Sequence, residues 1–147
     1  FYASPDYTGI GPSSLDVGVA LFPAPLERTP IPLFTSRALT GGESAVVAGW
    51  GTDGVSASGR TLRSGNLSVT RVTLTQIEAA FSDTTSGVCY GDSGGPLLAA
   101  SGGVWAVAGV TSKVTTGCLS GASYWANVYN SSIRSFILKY VPGAGQR

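Results

Sequence analysis

The residues best suited to chemistry are Cys89-Tyr90-Gly91-Asp92-Ser93-Gly94-Gly95-Pro96-Leu97-Leu98. A serine between glycines lets the backbone turn sharply, so its hydroxyl projects and neighbouring N–H groups can converge on one point. That arrangement suits a nucleophile whose developing oxyanion is held by backbone donors. A Gly-x-Ser-x-Gly string also arises by chance in glycine-rich chains, where the serine is a polar turn residue. A serine nucleophile of this kind commonly works with a His and a carboxylate, and the chain contains no His.

The order of the three partners along a chain is informative. In the α/β-hydrolase order the acid and the His follow the Ser, and no residue after Ser93 is His. In the subtilisin order the His lies between acid and Ser, and none lies between Asp16 and Ser93. In the chymotrypsin order the His comes first, so here it would lie upstream of Phe1. The chain has no Met and opens in apparently structured sequence, Phe1-Tyr2-Ala3-Ser4-Pro5, and is expected to be a processed piece of something longer.

Composition narrows the alternatives. The chain has 147 residues, enough for one domain or two small half-domains. Charged residues make up 12% and apolar residues 43%, a core-forming balance with few charges. With 21 Gly and 8 Pro, many turns are expected and a helical bundle is disfavoured. The net charge of +1 leaves no nucleic-acid footprint and no polybasic membrane patch. No apolar run approaches the roughly 20 residues of a transmembrane helix. With no His and only two cysteines, Cys89 and Cys118, neither a His-ligated metal site nor a four-thiolate zinc site is expected.

The elements that must position Ser93 read as all-β. Candidate strands are Leu15–Phe22, Ser44–Trp50, Thr61–Val69, Val72–Ile77, Gly95–Ala99, Val104–Thr111 and Ser123–Val128. Pro23, Pro25, Pro30 and Pro32 forbid a central strand and favour an extended connector. Ile133, Phe136, Ile137, Tyr140 and Val141 form the stripe of an amphipathic helix, with Ser131 or Ser132 as N-cap and Pro142-Gly143 as terminator. Gly143–Arg147 reads as a frayed tail.

Five segments, in order, resemble the C-terminal part of a trypsin/chymotrypsin-like serine protease. Gly91-Asp92-Ser93-Gly94-Gly95-Pro96 matches the family's nucleophile signature, and Leu15-Asp16-Val17-Gly18-Val19-Ala20-Leu21 resembles its Asp-Ile-Ala-Leu-Leu segment. Val47-Ala48-Gly49-Trp50-Gly51-Thr52 matches its Gly-Trp-Gly turn. Gly109-Val110-Thr111-Ser112 resembles the strand before the substrate cleft, and Tyr124-Trp125-Ala126-Asn127-Val128 the closing strand before the final helix. The resemblance implies the second antiparallel β-barrel of a double barrel, the end of the first, and a C-terminal α-helix. Residues 1–22 would end the first barrel, 23–40 connect, 41–130 form the second barrel, 131–141 the helix and 142–147 the tail.

The resemblance also implies roles. Ser93 would be the nucleophile and Asp16 would orient the imidazole and stabilise the imidazolium. The bland alternatives are a turn serine and a solvent-facing strand-end Asp; Asp6 and Asp53 sit in turn-like sequence and are poorer candidates. Gly91 and Ser93 would supply the oxyanion-hole N–H groups. Asp92 would pair with a new N-terminal ammonium, or else simply bond turn amides. Cys89 and Cys118 match a disulfide bracing the primary specificity pocket, whose loop of about 30 residues would stabilise by roughly 3–4 kcal/mol; two buried thiols are the alternative. Trp50 and Trp125 read as core or cleft-wall aromatics.

Substrate would be bound by Gly87, Tyr90, Ser112, Lys113, Val114 and Ser123. Ser112-Lys113-Val114 would pair with substrate backbone as an antiparallel strand. Gly87, six residues before the nucleophile, stands at the base of the primary pocket where trypsin-like members carry Asp. Val114 narrows the pocket, and Ser123 fills the opposite wall. A shallow neutral pocket for Ala or Val is expected. Asn66-Leu67-Ser68 and Asn130-Ser131-Ser132 are glycosylation sequons.

The implied protein is a secreted serine endopeptidase acting on proteins or peptides. Its partner is an N-terminal fragment of the same precursor, of about 80–100 residues by half-domain scale, that carries the catalytic His. No nucleic acid and no membrane is involved. Residues 1–22 would expose strand edges alone, so the chain is not expected to fold stably without that partner. The competing expectation is a catalytically inactive pseudoprotease, a binding or scaffolding protein on the same fold.

Overall fold

Alternating runs broken by turn residues favour antiparallel pairing. The computed structural model, which describes residues 1–9, 11–55, 61–82 and 84–147, follows that pattern. Strands β1 (Tyr2–Ala3) and β2 (Gly18–Val19) form a small antiparallel ribbon. Strands β3 (Ser44–Gly49), β4 (Arg63–Ser68), β5 (Arg71–Val72), β6 (Gln76–Ala80), β7 (Pro96–Ser101), β8 (Val104–Val114) and β9 (Ala122–Asn127) form one antiparallel sheet. Its order is β4-β3-β7-β8-β9-β6-β5, and it curls into a half-barrel. Helix α1 (Ser131–Tyr140) closes the chain.

Strand alternation decides the core. Ala45 and Val47 of β3, Leu97 and Ala99 of β7, Ala106 and Ala108 of β8, and Trp125 of β9 point inward, where they meet Phe34, Leu39, Ile77 and Val88. Burying a side chain such as Phe34 contributes about 1.5–3 kcal/mol. A second cluster holds the N-terminal segment: Leu15, Val17 and Val19 pack on Ala126, Ile133 and Phe136. Tyr2 stacks on Tyr140 with ring centroids 4.1 Å apart, so both ends of the N-terminal ribbon lean on α1.

Several expectations are corrected. Within Leu15–Phe22 only Gly18–Val19 pairs as strand, because the Leu15 N–H donates to the Asp6 carbonyl at 3.2 Å and the Val17 N–H to the Leu15 carbonyl at 2.9 Å, local bonds outside a ladder. The run Val72–Ile77 is interrupted: Val72 ends β5, Gln76 and Ile77 open β6, and residues 73–75 turn between them, where the Thr73 hydroxyl accepts from the Gln76 N–H at 3.0 Å, a side-chain bond that competes with a continuous strand. The N-cap of α1 is Asn130, not Ser131 or Ser132; its side-chain oxygen accepts from the N–H groups of Ser132 and Ile133 at 2.9 and 3.1 Å. Asn130 Nδ2 also donates to the Leu74 carbonyl at 3.0 Å, so this sequon's amide is already engaged in the fold. The helix ends at Tyr140, with Val141 as C-cap.

The tail is not frayed. Leu33 N–H donates to Gly145 O and Arg147 N–H to Leu33 O, both at 2.8 Å. The Val107 N–H donates to Pro32 O, and Phe34 N–H to Val107 O, so the end of the proline-rich connector is clamped between the tail and β8. Residues 23–31 of the connector are exposed throughout.

Candidate active site

The Ser93 loop is built from local turns and anchored to β8. Asp92 N–H donates to Cys89 O at 3.1 Å and Gly95 N–H to Asp92 O at 2.8 Å, which folds the segment on itself. Gly91 and Gly94 take φ of +94° and +80°, a left-handed backbone that favours glycine. Gly94 N–H then donates to Thr111 O at 2.9 Å, and Thr111 N–H to Gly95 O at 2.8 Å. Ser93 is held exposed at the head of β7. Among the described residues, neither the Gly91 nor the Ser93 N–H donates to a protein acceptor.

Asp16 reaches the next residue of the same strand. The Ser112 hydroxyl donates to Asp16 Oδ2 at 2.6 Å, across 96 residues of sequence. A register shift between Thr111 and Lys113 in the β8–β9 pairing leaves Ser112 outside the regular register, and such a bulge re-aims a side chain. Leu15 and Val17 are buried on either side, which leaves the Asp16 carboxylate half-buried on the side of β8. Thr111 therefore anchors the serine loop and Ser112 anchors the carboxylate. Of the poorer candidates, Asp53 pairs with Arg63 at 3.3 Å, and Asp6 is exposed.

Asp92 turns the other way, into the Gly-Trp-Gly turn. Its Oδ1 accepts from Gly51 N–H at 2.8 Å and its Oδ2 from Cys89 N–H at 2.9 Å. A Cβ on either Gly49 or Gly51 would overlap the carboxylate, which is why both positions need glycine. The same carboxylate borders a cavity of about 250 Å³ lined also by Gly65, Phe81, Ser86, Gly87 and Cys118.

Cys89 and Cys118 are disulfide-bonded, which brings Gly87, Ser123 and Cys118 together. A Cβ on Gly87 would stand 3.1 Å from Ser123 Oγ and 3.6 Å from Phe81 Cδ2. Ser123 Oγ is itself engaged, accepting from Val88 N–H at 3.1 Å. The other sequence-derived candidates disperse. Val114 packs against the main core, Lys113 faces a second cavity, and Tyr90 stands out in solvent at 71% exposure. Trp125 is a core residue and Trp50 is exposed. Sequence reasoning missed Phe81, an aromatic just past β6 with no motif to mark it, and the Ser112 hydroxyl, valued only for its backbone. Among the described residues no cluster of His, Cys, Asp and Glu could hold a metal ion.

This fold is that of a trypsin-like protein. The Trypsin family model matches residues 16–137, and the chain belongs to that family. Among solved structures, a mutant of human heparin binding protein (CAP37) is similar, with 27% identity and a TM-score of 0.62. The match covers 80% of this chain and 52% of that one, so the chain spans about half the length of that relative. No curated protein matches the sequence.

Proposed function

We propose that this chain is the Ser-Asp half of a secreted serine endopeptidase, with the His carried by a separate N-terminal polypeptide of the same precursor. The observation that carries the reading is the pair of anchors on β8: Thr111 holds the Ser93 loop and Ser112 holds the Asp16 carboxylate. An imidazole lodged against Asp16 takes the Ser93 proton as Oγ attacks the substrate carbonyl carbon. The oxyanion is received by the unpartnered Gly91 and Ser93 N–H groups. The imidazolium returns its proton to the departing amine, and water hydrolyses the acyl-enzyme with the imidazole again as base.

The cavity beside Asp92 is the place where an incoming N-terminal ammonium would pair with that carboxylate. The neutral Gly87 and the nearby Ser123 favour a small aliphatic side chain, such as Ala or Val, in the primary pocket. No metal or organic cofactor takes part in this chemistry. The disulfide fits an extracellular protein.

The second reading, an inactive binding protein on the same fold, draws on the absence of His from the chain. One experiment separates the two. Native material is analysed by denaturing mass spectrometry and treated with a fluorophosphonate. A second, His-bearing polypeptide together with labelling at Ser93 supports the endopeptidase. A chain that never labels, with or without a partner, overturns it in favour of the binding protein.

A further inference from the structure

A row of polar residues crosses four strands of the sheet beside the Ser93 loop. Lys113 of β8 pairs with Tyr124 of β9, Tyr124 with Glu78 of β6, and Glu78 with Arg71 of β5. Directly paired residues point to one face of a sheet, and these four line a single cavity of about 260 Å³ that Pro12 of the N-terminal segment helps to close. Lys113 Nζ sits 5.0 Å from the centre of the Tyr124 ring, which steadies the ammonium on this face.

This cavity adjoins the outer edge of β8. Strand β7 pairs with β8 only as far as Val110, so the stretch Ser112–Val114 has β9 on one side and, among the described residues, no strand on the other. A peptide laid antiparallel along that edge would have its scissile bond at the Ser112 end, because Thr111 holds the Ser93 loop there. The residues before the scissile bond then run toward Val114. The second of them lies opposite Lys113 and shares its face.

Charge order along the row decides what that position prefers. Strands are spaced by about 4.8 Å, so Lys113 is the nearest charge of the row, Glu78 lies roughly two spacings farther away and Arg71 roughly three. Coulomb energy falls with distance, and the row carries two cations to one carboxylate with a cation nearest the peptide. Asp16 is the opposing charge from the N-terminal segment, and in the assembled site it faces the imidazole. We propose that Lys113, with the cavity behind it, selects an acidic side chain at the second residue before the scissile bond. This rests on the endopeptidase reading and adds a substrate class to it.

The test uses the native, assembled protein and three peptides with Ala before the scissile bond, differing only in Glu, Gln or Lys one position earlier. The expected order of kcat/KM is Glu, then Gln, then Lys, with steps of about three-fold at low salt. The steps shrink toward unity in 1 M salt, where the Debye length is about 3 Å. Lys113→Gln flattens the series and Lys113→Glu inverts it. Equal cleavage of all three peptides, or a preference that survives Lys113→Gln, overturns the inference while leaving the protease reading intact. Failure to cleave any peptide, together with no fluorophosphonate labelling, removes the protease reading and the inference with it.

Discussion

Asp92 lies within the serine loop and Asp16 is tied to the strand that anchors that loop, and the two are held in opposite ways. Asp92 has an amide donor on each oxygen, Gly51 N–H and Cys89 N–H, and glycines at Gly49 and Gly51 make room for it. Asp16 has one partner among the described residues, the Ser112 hydroxyl, and its other oxygen has none. The first carboxylate is a structural pin of the loop, bonded on both oxygens while still bordering a cavity. The second is held through one oxygen, and its other oxygen is left open among the described residues. A carboxylate bonded on both oxygens fixes the conformation of its loop and keeps lone pairs for a further donor, whereas one bonded on a single oxygen leaves the other wholly open to a partner.

The contrast can be broken at several points. The largest effect is expected from Asp16→Asn in the assembled protein: kcat falls by about 10⁴-fold, because the imidazole is then held in the wrong tautomer. Its thermal midpoint should change little. A kcat within ten-fold of the parent would show that Asp16 is not the orienting carboxylate. At the other carboxylate the damage should appear as lost stability. Gly51→Ala is expected to cost on the order of 2–4 kcal/mol by driving a methyl group into Asp92. Urea denaturation with an unchanged midpoint would contradict the crowding seen at that glycine.

Ser112→Ala is smaller. Loss of one hydrogen bond to a charged group, about 1.5–3 kcal/mol, predicts a decrease in kcat of roughly ten-fold or somewhat more, with far less change in KM. Equal losses in stability and in KM would instead make Ser112 a packing residue.

Glu43 supplies the smallest effect and a useful contrast, since it lies away from the serine loop. The Arg37 guanidinium, with help from Thr40, holds its carboxyl down at about 2. A depressed folded pKa gives stability that is complete above the ordinary carboxylate range and is lost as pH falls toward 2. The pair is partly exposed, so the contribution is modest and sensitive to salt. Glu43→Gln should therefore reduce the acid-side slope of stability without altering activity at neutral pH, as followed by thermal melts between pH 2 and 6.

Much of the fold was legible because it rests on short-range rules. The strands from Ser44 onward follow alternation, and α1 follows a stripe of apolar residues. The Gly91–Pro96 string announces its own turn, since glycine is needed where the backbone turns left-handed. The Cys89–Cys118 bond was expected from family resemblance and is formed. The misses are of a different kind. A Thr-Leu-Thr stretch with high β-propensity became a turn because one hydroxyl closed on Gln76. The terminal residues looked polar and loose but pair with the connector, which no local pattern encodes.

The sequence by itself determined which residues can do chemistry here: Ser93 among glycines, an Asp on either side of the argument, no His, and two cysteines. It also determined the all-β class, because residue spacing is a property of neighbours along the chain. Only the tertiary structure decided that Asp16 meets Ser112, that Gly49 and Gly51 yield space to Asp92, and that Lys113, Tyr124, Glu78 and Arg71 fall into one row. Those relations depend on strand register and on a bulge in β8. Register is fixed by cooperative packing of the whole sheet rather than by any run of neighbouring residues.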